Sequence, residues 1–172
     1  MHTVNASTFS VLVLGGDGIG PEVTDAAVAC MEQAAGANGL RIDLEHDLLG
    51  GAAYDEHGVF CTDDTADKAT RANAVLVGAV GGPKWDQIKI DGGPQDKDGL
   101  MRLRHTLDVY AGLRPARGYP ALTHATPFRE GLAEQADVMV VRELCGGAFF
   151  AQPRGIEPIK GGGFRAFDTN LY

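Results

Sequence analysis

The feature that most constrains the fold of this chain is a short apolar run that ends abruptly in a cluster of glycines. Residues 9–14 read Phe-Ser-Val-Leu-Val-Leu, and residues 15–20 read Gly-Gly-Asp-Gly-Ile-Gly. A nearly continuous apolar run rich in branched side chains predicts a strand buried on both faces, as in a parallel sheet. Pro21 and Glu22 suit the first turn of a helix. This order of strand, tight turn and helix predicts an α/β protein.

The rest of the chain continues the alternation of apolar runs and loops. We predict an alternating strand at 41–47, a surface helix at 62–71 and a second buried strand at 74–80. A loop rich in Gly, Pro and Asp follows at 81–99, and loops of this length are commonly functional. Further on, the pattern predicts a helix at 100–107, a strand at 109–113 stopped by Pro115, a buried strand around 138–141, and paired strands at 149–150 and 166–172.

Charge and cysteine content exclude several classes of function. The formal net charge is −8, which argues against binding nucleic acid through a general basic surface. No apolar run reaches the length of a bilayer span and the N-terminus lacks a signal-peptide pattern, so we expect no membrane association. Cys30, Cys61 and Cys145 show neither metal-binding nor disulfide spacing. The expected location is a reducing cytoplasm.

Two glycine motifs follow the predicted buried strands, at the sheet edge where α/β proteins bind ligands. The first, residues 16–20, has the spacing G-x-G-x-G instead of the dinucleotide fingerprint G-x-G-x-x-G, which favours a tight turn over a pyrophosphate site. The second, residues 81–86, reads Gly-Gly-Pro-Lys-Trp-Asp. Its amides and its tryptophan could hold a planar cofactor, but on the residues alone a Gly-Pro turn with a packed tryptophan is the better interpretation.

Three arginines are the most informative charged residues. Arg104, Arg114 and Arg142 each lie at or beside a predicted helix or strand that is otherwise apolar. A guanidinium is costly to bury unpaired, and it binds carboxylates through two parallel hydrogen bonds. Three converging arginines would suit a dicarboxylate, and three separate surface salt bridges are an equal alternative.

Other candidate catalytic groups are weaker. Asp17, Asp47, Asp86 and Asp108 are scattered and form no recognisable acid/base pair. Cys145 has no base at a recognisable spacing, which favours a packed thiol over a nucleophile.

Taken in order, these motifs resemble the β-decarboxylating dehydrogenases of the isocitrate/isopropylmalate dehydrogenase family, and the isopropylmalate branch most closely. The resemblance runs from Val11 to Tyr172 and corresponds to the N-terminal half of the family only. The matching segments, named by their first residues, are LGGDGIGPEV at Leu14, GGAAY at Gly50, VGGPKWD at Val80, GLMRLR at Gly99, LRP at Leu113, VREL at Val141 followed by GG, PRG at Pro153, and AFDT at Ala166 followed by LY.

The resemblance implies an architecture. The expected fold is α/β, with layered αβα packing and a mostly parallel sheet, truncated relative to the family. Residues 1–99 would be the first part of a discontinuous cofactor-binding domain. Residues 100–172 would begin a second, incomplete domain for substrate and dimer contacts.

The resemblance also implies an activity. The family uses NAD and a divalent metal, Mg²⁺ or Mn²⁺, to oxidise the 2-hydroxyl group of a malate-type dicarboxylate and release CO₂. In the isopropylmalate branch this is a step of leucine biosynthesis, performed by a homodimer. By resemblance, Arg104, Arg114 and Arg142 bind the substrate carboxylates, and Leu100 and Met101 contact the isopropyl group. The cofactor segment matches Gly81, Gly82, Pro83, Lys84, Trp85 and Asp86.

The chain departs from the family pattern at points that matter for catalysis. The family's catalytic tyrosine falls on Phe149, which has no proton to donate, and a glutamate that positions nicotinamide falls on Lys97. The catalytic lysine and the metal-binding aspartates of the family have no counterpart in these residues. We therefore expect a truncated or split enzyme, inactive alone, that a complementary C-terminal chain could complete. The alternatives are a truncated relative acting on tartrate or homoisocitrate, and a non-catalytic interaction fragment.

Overall fold

The computed structural model describes residues 8–129, 131–144 and 146–172, with the backbone alone for Pro94, Gln95 and Phe149. The described chain forms two compact units that adjoin in the sequence at Leu107 and Asp108. The assignment of residues 1–99 to a cofactor-binding domain and of 100–172 to a substrate and dimer domain stays a prediction.

The first unit is built on a parallel sheet. Its strands are β1 (Thr8–Gly16), β2 (Arg41–Asp47) and β3 (Ala74–Ala79), in the spatial order β2-β1-β3. This arrangement confirms the predicted α/β class with a parallel sheet. The helices of the unit are α1 (Gly20–Ala37), α2 (Gly51–His57), α3 (Asp63–Arg71), α4 (Pro94–Lys97) and α5 (Gly99–Thr106).

The central strand β1 carries the middle of the hydrophobic core. Leu12 and Leu14 are fully buried, as expected for a strand with a partner on each side and helices against the sheet. Fully burying one leucine side chain contributes about 1.5–3 kcal/mol. The two leucines pack in one cluster with buried residues of α3, of α5 and of the segments that precede α2 and α3: Leu49, Cys61, Ala66, Ala69 and Leu103. The core therefore anchors α5, the helix that carries Arg104, to the sheet.

Helix α3 is held by its cap and by one lysine. Thr62 accepts a hydrogen bond from a backbone N–H of the first turn. Lys68 Nζ lies 2.8 Å from a carboxylate oxygen of Asp64 and 2.9 Å from one of Asp47, at the end of β2. Hydrogen bonds to Asp64 and Asp47 raise the pKa of Lys68 above its ordinary value. Burial raises the pKa of Asp47, but hydrogen bonds from Lys68 and from the Leu48 N–H outweigh it and hold that pKa below its ordinary value.

The second unit consists of two antiparallel strand pairs. β4 (Ala111–Arg117) pairs with β5 (Asp137–Glu143), and β6 (Gly155–Pro158) pairs with β7 (Phe164–Phe167). Short 3-10 helices span Pro120–Ala125 and Gly147–Phe149. The expected pairing of residues 149–150 with 166–172 is wrong. The three glycines at 161–163 have φ between +92° and +101°, and they turn the chain so that β7 pairs with the strand just before the turn.

Two further expectations for the second unit are also wrong. Pro115 does not stop β4 but lies inside it, opposite Met139. Among the described residues β4 pairs with β5 alone, and a strand with an open side tolerates a residue without an N–H. The side chains at 138–141 are 50–63% exposed rather than buried.

Candidate functional site

The C-terminal ends of β1 and β3 meet around one buried carboxylate. Asp17 follows β1 and is 4% exposed. Its Oδ2 atom accepts hydrogen bonds from the N–H groups of Gly51 at 2.8 Å and Gly81 at 2.7 Å. Its Oδ1 atom accepts one from the Ala52 N–H at 2.7 Å, and its own N–H donates to the Ala79 carbonyl at 2.6 Å. With its charge satisfied in this way, Asp17 makes the first glycine motif a structural turn.

Glycines around Asp17 let the backbone come this close. Gly16 has φ of +77°, and a Cβ atom there would lie 2.0 Å from the Ala79 carbonyl oxygen. Gly50 has φ of +75°, and a Cβ atom there would lie 2.5 Å from Asp17 Oδ2. Any larger residue at either position would push the strand ends or the carboxylate apart.

The 81–86 loop begins at Gly81 and folds back onto α2. The backbone N–H of Trp85 donates to the Gly82 carbonyl at 3.0 Å, which closes a turn around Pro83 and Lys84. The Trp85 ring lies directly on Gly51, since a Cβ atom on Gly51 would be only 2.1 Å from Cε2 of the indole. Packing and a turn therefore determine the conformation of this loop, in agreement with the interpretation based on the residues alone.

Asp55, on α2, holds the outer part of the same loop. Its carboxylate accepts a hydrogen bond from Lys84 Nζ at 2.6 Å and another from Trp85 Nε1 at 3.1 Å. Lys84 Nζ also lies 5.1 Å from the centroid of the Trp85 ring, within the range of a cation–π contact. The hydrogen bonds from Lys84 and Trp85 lower the pKa of Asp55. Lys84 is thus turned towards α2.

A cleft of about 270 Å³ opens at this edge of the sheet. Ligand pockets typically measure roughly 300–1,000 Å³, so the cleft lies at the small end of that range and could hold one part of a larger ligand. Glycine at several wall positions leaves the backbone accessible to a flat group. The cleft brings together three predicted cofactor residues and Lys97; its walls include Gly50, Gly81, Trp85, Asp86, Lys97 and Asp98.

Helix α5 places the predicted substrate residues of the first unit on one face. Asp98 caps the helix, because its Oδ1 atom accepts hydrogen bonds from the N–H groups of Leu100 at 2.8 Å and Met101 at 3.2 Å. Residues three and four apart share a helix face, so Leu100 and Met101 both neighbour Arg104. An Arg104 guanidinium nitrogen lies 4.0 Å from the Met101 sulfur. An apolar pair therefore stands beside a cation.

The other two arginines come together on the β4–β5 ribbon. Arg142 lies opposite Gly112, and Arg114 lies opposite Val140. Side chains two apart on a strand, and those directly opposite each other, share a face, so both arginines project from one side as diagonal neighbours. Diagonal neighbours are about 7–8 Å apart, a spacing that long side chains bridge. The site formed jointly with Arg104 stays a prediction.

The glycine pair after β5 accommodates the chain's own C-terminal segment. The Gly147 N–H donates to the Leu171 carbonyl at 2.8 Å, and a Cβ atom on Gly147 would lie 2.8 Å from the Tyr172 hydroxyl. The backbone of Phe149 lies in the adjoining 3-10 helix, while its side chain and Cys145 are outside the described residues.

The described residues do not fit a divalent metal by themselves. Across residues 8–129, 131–144 and 146–172, no three His, Cys, Asp or Glu side chains come close enough to share an ion. A Mg²⁺ or Mn²⁺ site is therefore not assigned to them.

None of the helices in the described ranges combines the length and apolar character needed to cross a bilayer.

Sequence reasoning passed over two residues that organise the site. Asp17 looked like one of several scattered carboxylates, although its place in a glycine turn directly after a buried strand could have identified it. Asp55 carries no such signal, because its partners Lys84 and Trp85 are about thirty residues away in the sequence.

Over residues 10–172 the chain matches the family described as isocitrate/isopropylmalate dehydrogenase. It is 46% identical over 162 residues to the 3-isopropylmalate dehydrogenase of Pseudomonas putida, a match that covers 94% of this chain and 44% of that protein. It is 43% identical over 165 residues to the 3-isopropylmalate dehydrogenase of Hydrogenovibrio crunogenus, covering 96% and 46%. The chain thus spans less than half the length of these relatives.

Solved structures of similar proteins show the same fold. The isocitrate dehydrogenase of Methylococcus capsulatus superposes with a TM-score of 0.67 at 23% identity, covering 95% of this chain and 42% of that one. A β-decarboxylating dehydrogenase of Thermococcus kodakarensis superposes with a TM-score of 0.62 at 28% identity, covering 95% and 40%. The predicted fold of the isocitrate/isopropylmalate dehydrogenase type is confirmed.

Proposed function

The chain belongs to the isocitrate/isopropylmalate dehydrogenase family, and from this premise we propose that it supplies the carboxylate-binding face and part of the cofactor cleft for the NAD-dependent oxidative decarboxylation of 3-isopropylmalate. The identity of more than 40% with relatives bearing that enzyme's name supports the choice of substrate. The reaction would take place in the cytoplasm as a step of leucine biosynthesis, in a homodimeric enzyme.

The cofactor part of the proposal rests on the cleft at the sheet edge. Bound NAD would supply the hydride acceptor for oxidation at the carbon that carries the substrate's 2-hydroxyl group. The chain's own contribution is to hold one part of the cofactor against the backbone of the 81–86 loop, with Trp85 as a fixed wall. The residues proposed for this role are Gly81, Gly82, Pro83, Lys84, Trp85 and Asp86.

The observation that carries the substrate part is the shared face of Arg114 and Arg142 on the β4–β5 ribbon. Two guanidinium groups side by side match two carboxylates of one small molecule and hold them while the hydride leaves. Arg104 would add a third cation. The apolar side chains of Leu100 and Met101 beside it suit an isopropyl group better than a further carboxylate.

The chain on its own is proposed to be inactive. By resemblance of its motifs to the family pattern, Phe149 corresponds to a proton-donating tyrosine, and the family's catalytic lysine and metal-binding aspartates match none of these residues. A complementary C-terminal chain would supply the lysine and the aspartates, and it is the protein partner that we propose. The second candidate function is a non-catalytic interaction fragment, which Phe149 and the exposed apolar side chains at 138–141 favour.

The test joins residues 1–172 to the C-terminal part of the Pseudomonas putida relative and follows NADH formation. We expect no turnover by the 172 residues alone and slow turnover of 3-isopropylmalate by the joined chain, ahead of tartrate and homoisocitrate. Charge-assisted hydrogen bonds contribute roughly 1.5–3 kcal/mol each, so Arg114→Met should lower kcat/KM about 10- to 100-fold. The matched control is Arg71→Met on α3. Equal losses for the two variants would reject the carboxylate face, and preference for another acid would reject the substrate.

A further inference from the structure

A single oxygen atom joins the two segments that form the wall of the cleft. Oδ2 of Asp17 accepts hydrogen bonds from the N–H of Gly51, where α2 begins, and from the N–H of Gly81, where the 81–86 loop begins. Oδ1 accepts a third from Ala52. Asp17 is 4% exposed, so these bonds are shielded from water.

The same two segments meet again at the indole ring. Trp85, four residues beyond Gly81, packs its ring directly on Gly51. Asp17 therefore holds the backbone at Gly51 and at the start of the loop that carries Trp85. If the carboxylate is lost, the start of α2 and the start of the loop lose their common acceptor, and the ring packing on Gly51 and the hydrogen bonds of Asp55 to Lys84 and Trp85 remain.

We propose that Asp17 is a positioning residue of the cofactor cleft, which sets its width by holding the 81–86 loop against α2. The consequence for nucleotide binding rests on the proposed function, whereas the consequence for the loop does not. Asp17 does not touch the nucleotide in this scheme; it acts through the backbone of Gly81 and through Trp85.

The first experiment uses Trp85, the only tryptophan of the chain, as a fluorescent reporter in the 172-residue protein without ligand. Asp17→Asn retains the size of the side chain but places an amide N–H₂ group against backbone N–H donors, and Asp17→Ala removes both acceptor oxygens and with them all three hydrogen bonds. We expect a red shift of the emission and stronger acrylamide quenching, larger for Ala than for Asn. The matched control is Asp47→Asn, a carboxylate at the end of the neighbouring strand whose partners are Lys68 and Leu48. A shift as large in the control as in the Asp17 variants would overturn the proposal, as would no shift in either.

Amide exchange in the unmodified protein keeps the proposal testable if the Asp17 variants do not fold. The N–H groups of Gly51, Ala52 and Gly81 should exchange slowly and at similar rates, although Gly81 lies outside the helices and strands. Fast exchange at Gly81 alone would refute the proposal.

Nucleotide binding is measured separately, by titrating NADH into the chain joined to the C-terminal part of the Pseudomonas putida relative. Asp17→Asn loses one or two of the hydrogen bonds that hold the loop, so it should weaken NADH binding about tenfold. Asp47→Asn should change NADH binding little. If the unsubstituted joined chain does not bind NADH, the proposed function fails, while the fluorescence and exchange results still decide the role of Asp17.

Discussion

Replacing Gly51 by alanine is the sharpest single test of how the cleft is built. Gly51 is the first residue of α2 and has no positive φ, so alanine meets no backbone strain there. Its methyl group, however, would lie 2.1 Å from Cε2 and 2.2 Å from Cδ2 of Trp85. These atoms belong to the rigid part of the indole, so the whole ring must move.

Two opposing effects decide the sign of the change in stability. Alanine in place of glycine in a helix stabilises by about 0.5–1 kcal/mol. Forcing a methyl group into a filled contact costs typically 1–3 kcal/mol. We therefore expect a net destabilisation of about 1 kcal/mol, together with the loss of the Trp85–Asp55 hydrogen bond.

The assay combines urea unfolding with the emission spectrum of Trp85. The matched control is Gly36→Ala in α1, where a Cβ atom would meet no atom within 4 Å. The control should stabilise by about 0.5 kcal/mol and leave the emission unchanged, whereas Gly51→Ala should destabilise and shift the emission to the red. If Gly51→Ala stabilises the protein as the control does, with unchanged emission, then Trp85 does not pack on Gly51.

Three further predictions concern acid stability, association and catalysis. The lowered pKa of Asp47 makes its contribution to stability fully present above its unfolded pKa of about 3.9 and lost as the pH falls through the lower folded value, so Asp47→Asn should flatten the acid limb of unfolding free energy against pH. Val141→Lys, at a position 63% exposed, should reduce self-association in sedimentation, because it interrupts an exposed apolar row. In the joined chain, Phe149→Tyr should raise kcat by about 10²–10⁴-fold with little change in KM, since it would introduce a proton donor at the position proposed for the family's catalytic tyrosine.

Each of these predictions has a result that contradicts it. An unchanged acid limb in Asp47→Asn would mean that the bond to Lys68 does not lower the Asp47 pKa. Equal self-association of Val141→Lys and the unsubstituted chain would mean that the self-association surface lies elsewhere. A lower melting temperature without a gain in rate in Phe149→Tyr would show a buried, unpaired hydroxyl and a misplaced catalytic position.

The first sheet could be predicted from the sequence because its signals are local. The run at residues 9–14 is apolar throughout, and a strand with neighbours on both sides needs that pattern. The alternating pattern of β2 and the cap of α3 at Thr62 are likewise read from neighbouring residues, and both strand and helix lie where predicted. Helix α2 was missed because it is short and its start depends on Asp17, which lies 34 residues earlier.

The second unit was harder to predict because its patterns depend on what lies around each strand. The apolar side chains at 138–141 indicate burial, and a strand shows the same pattern whether or not a covering layer is present. A proline normally ends a strand, but the open side of β4 accepts Pro115. The pairing of β6 with β7 is decided by the glycine turn at 161–163, which is a local feature of the sequence.

The candidate site shows the same division. The loop after β3 and the arginines of α5, β4 and β5 were predicted from residue type and position next to regular elements. The shared face of Arg114 and Arg142 requires the strand register, which residue types alone do not provide. Asp55 requires contacts across about thirty residues of chain.

The strand order β2-β1-β3 has a consequence for how the protein is made. β1 leaves the ribosome before β2 and β3, yet it lies between them and pairs with residues as far along as Ala79. Until β3 has been synthesised, one side of β1 lacks its partner and exposes unpaired N–H and C=O groups. The entropic cost of closing the loop between β1 and β3 grows only slowly with the length of that loop. The order of synthesis, rather than loop closure, therefore delays the pairing. The nascent chain therefore passes through a stage in which β1, buried in the finished sheet, exposes an edge that can pair with another chain. This stage ends only when Ala74–Ala79 emerges.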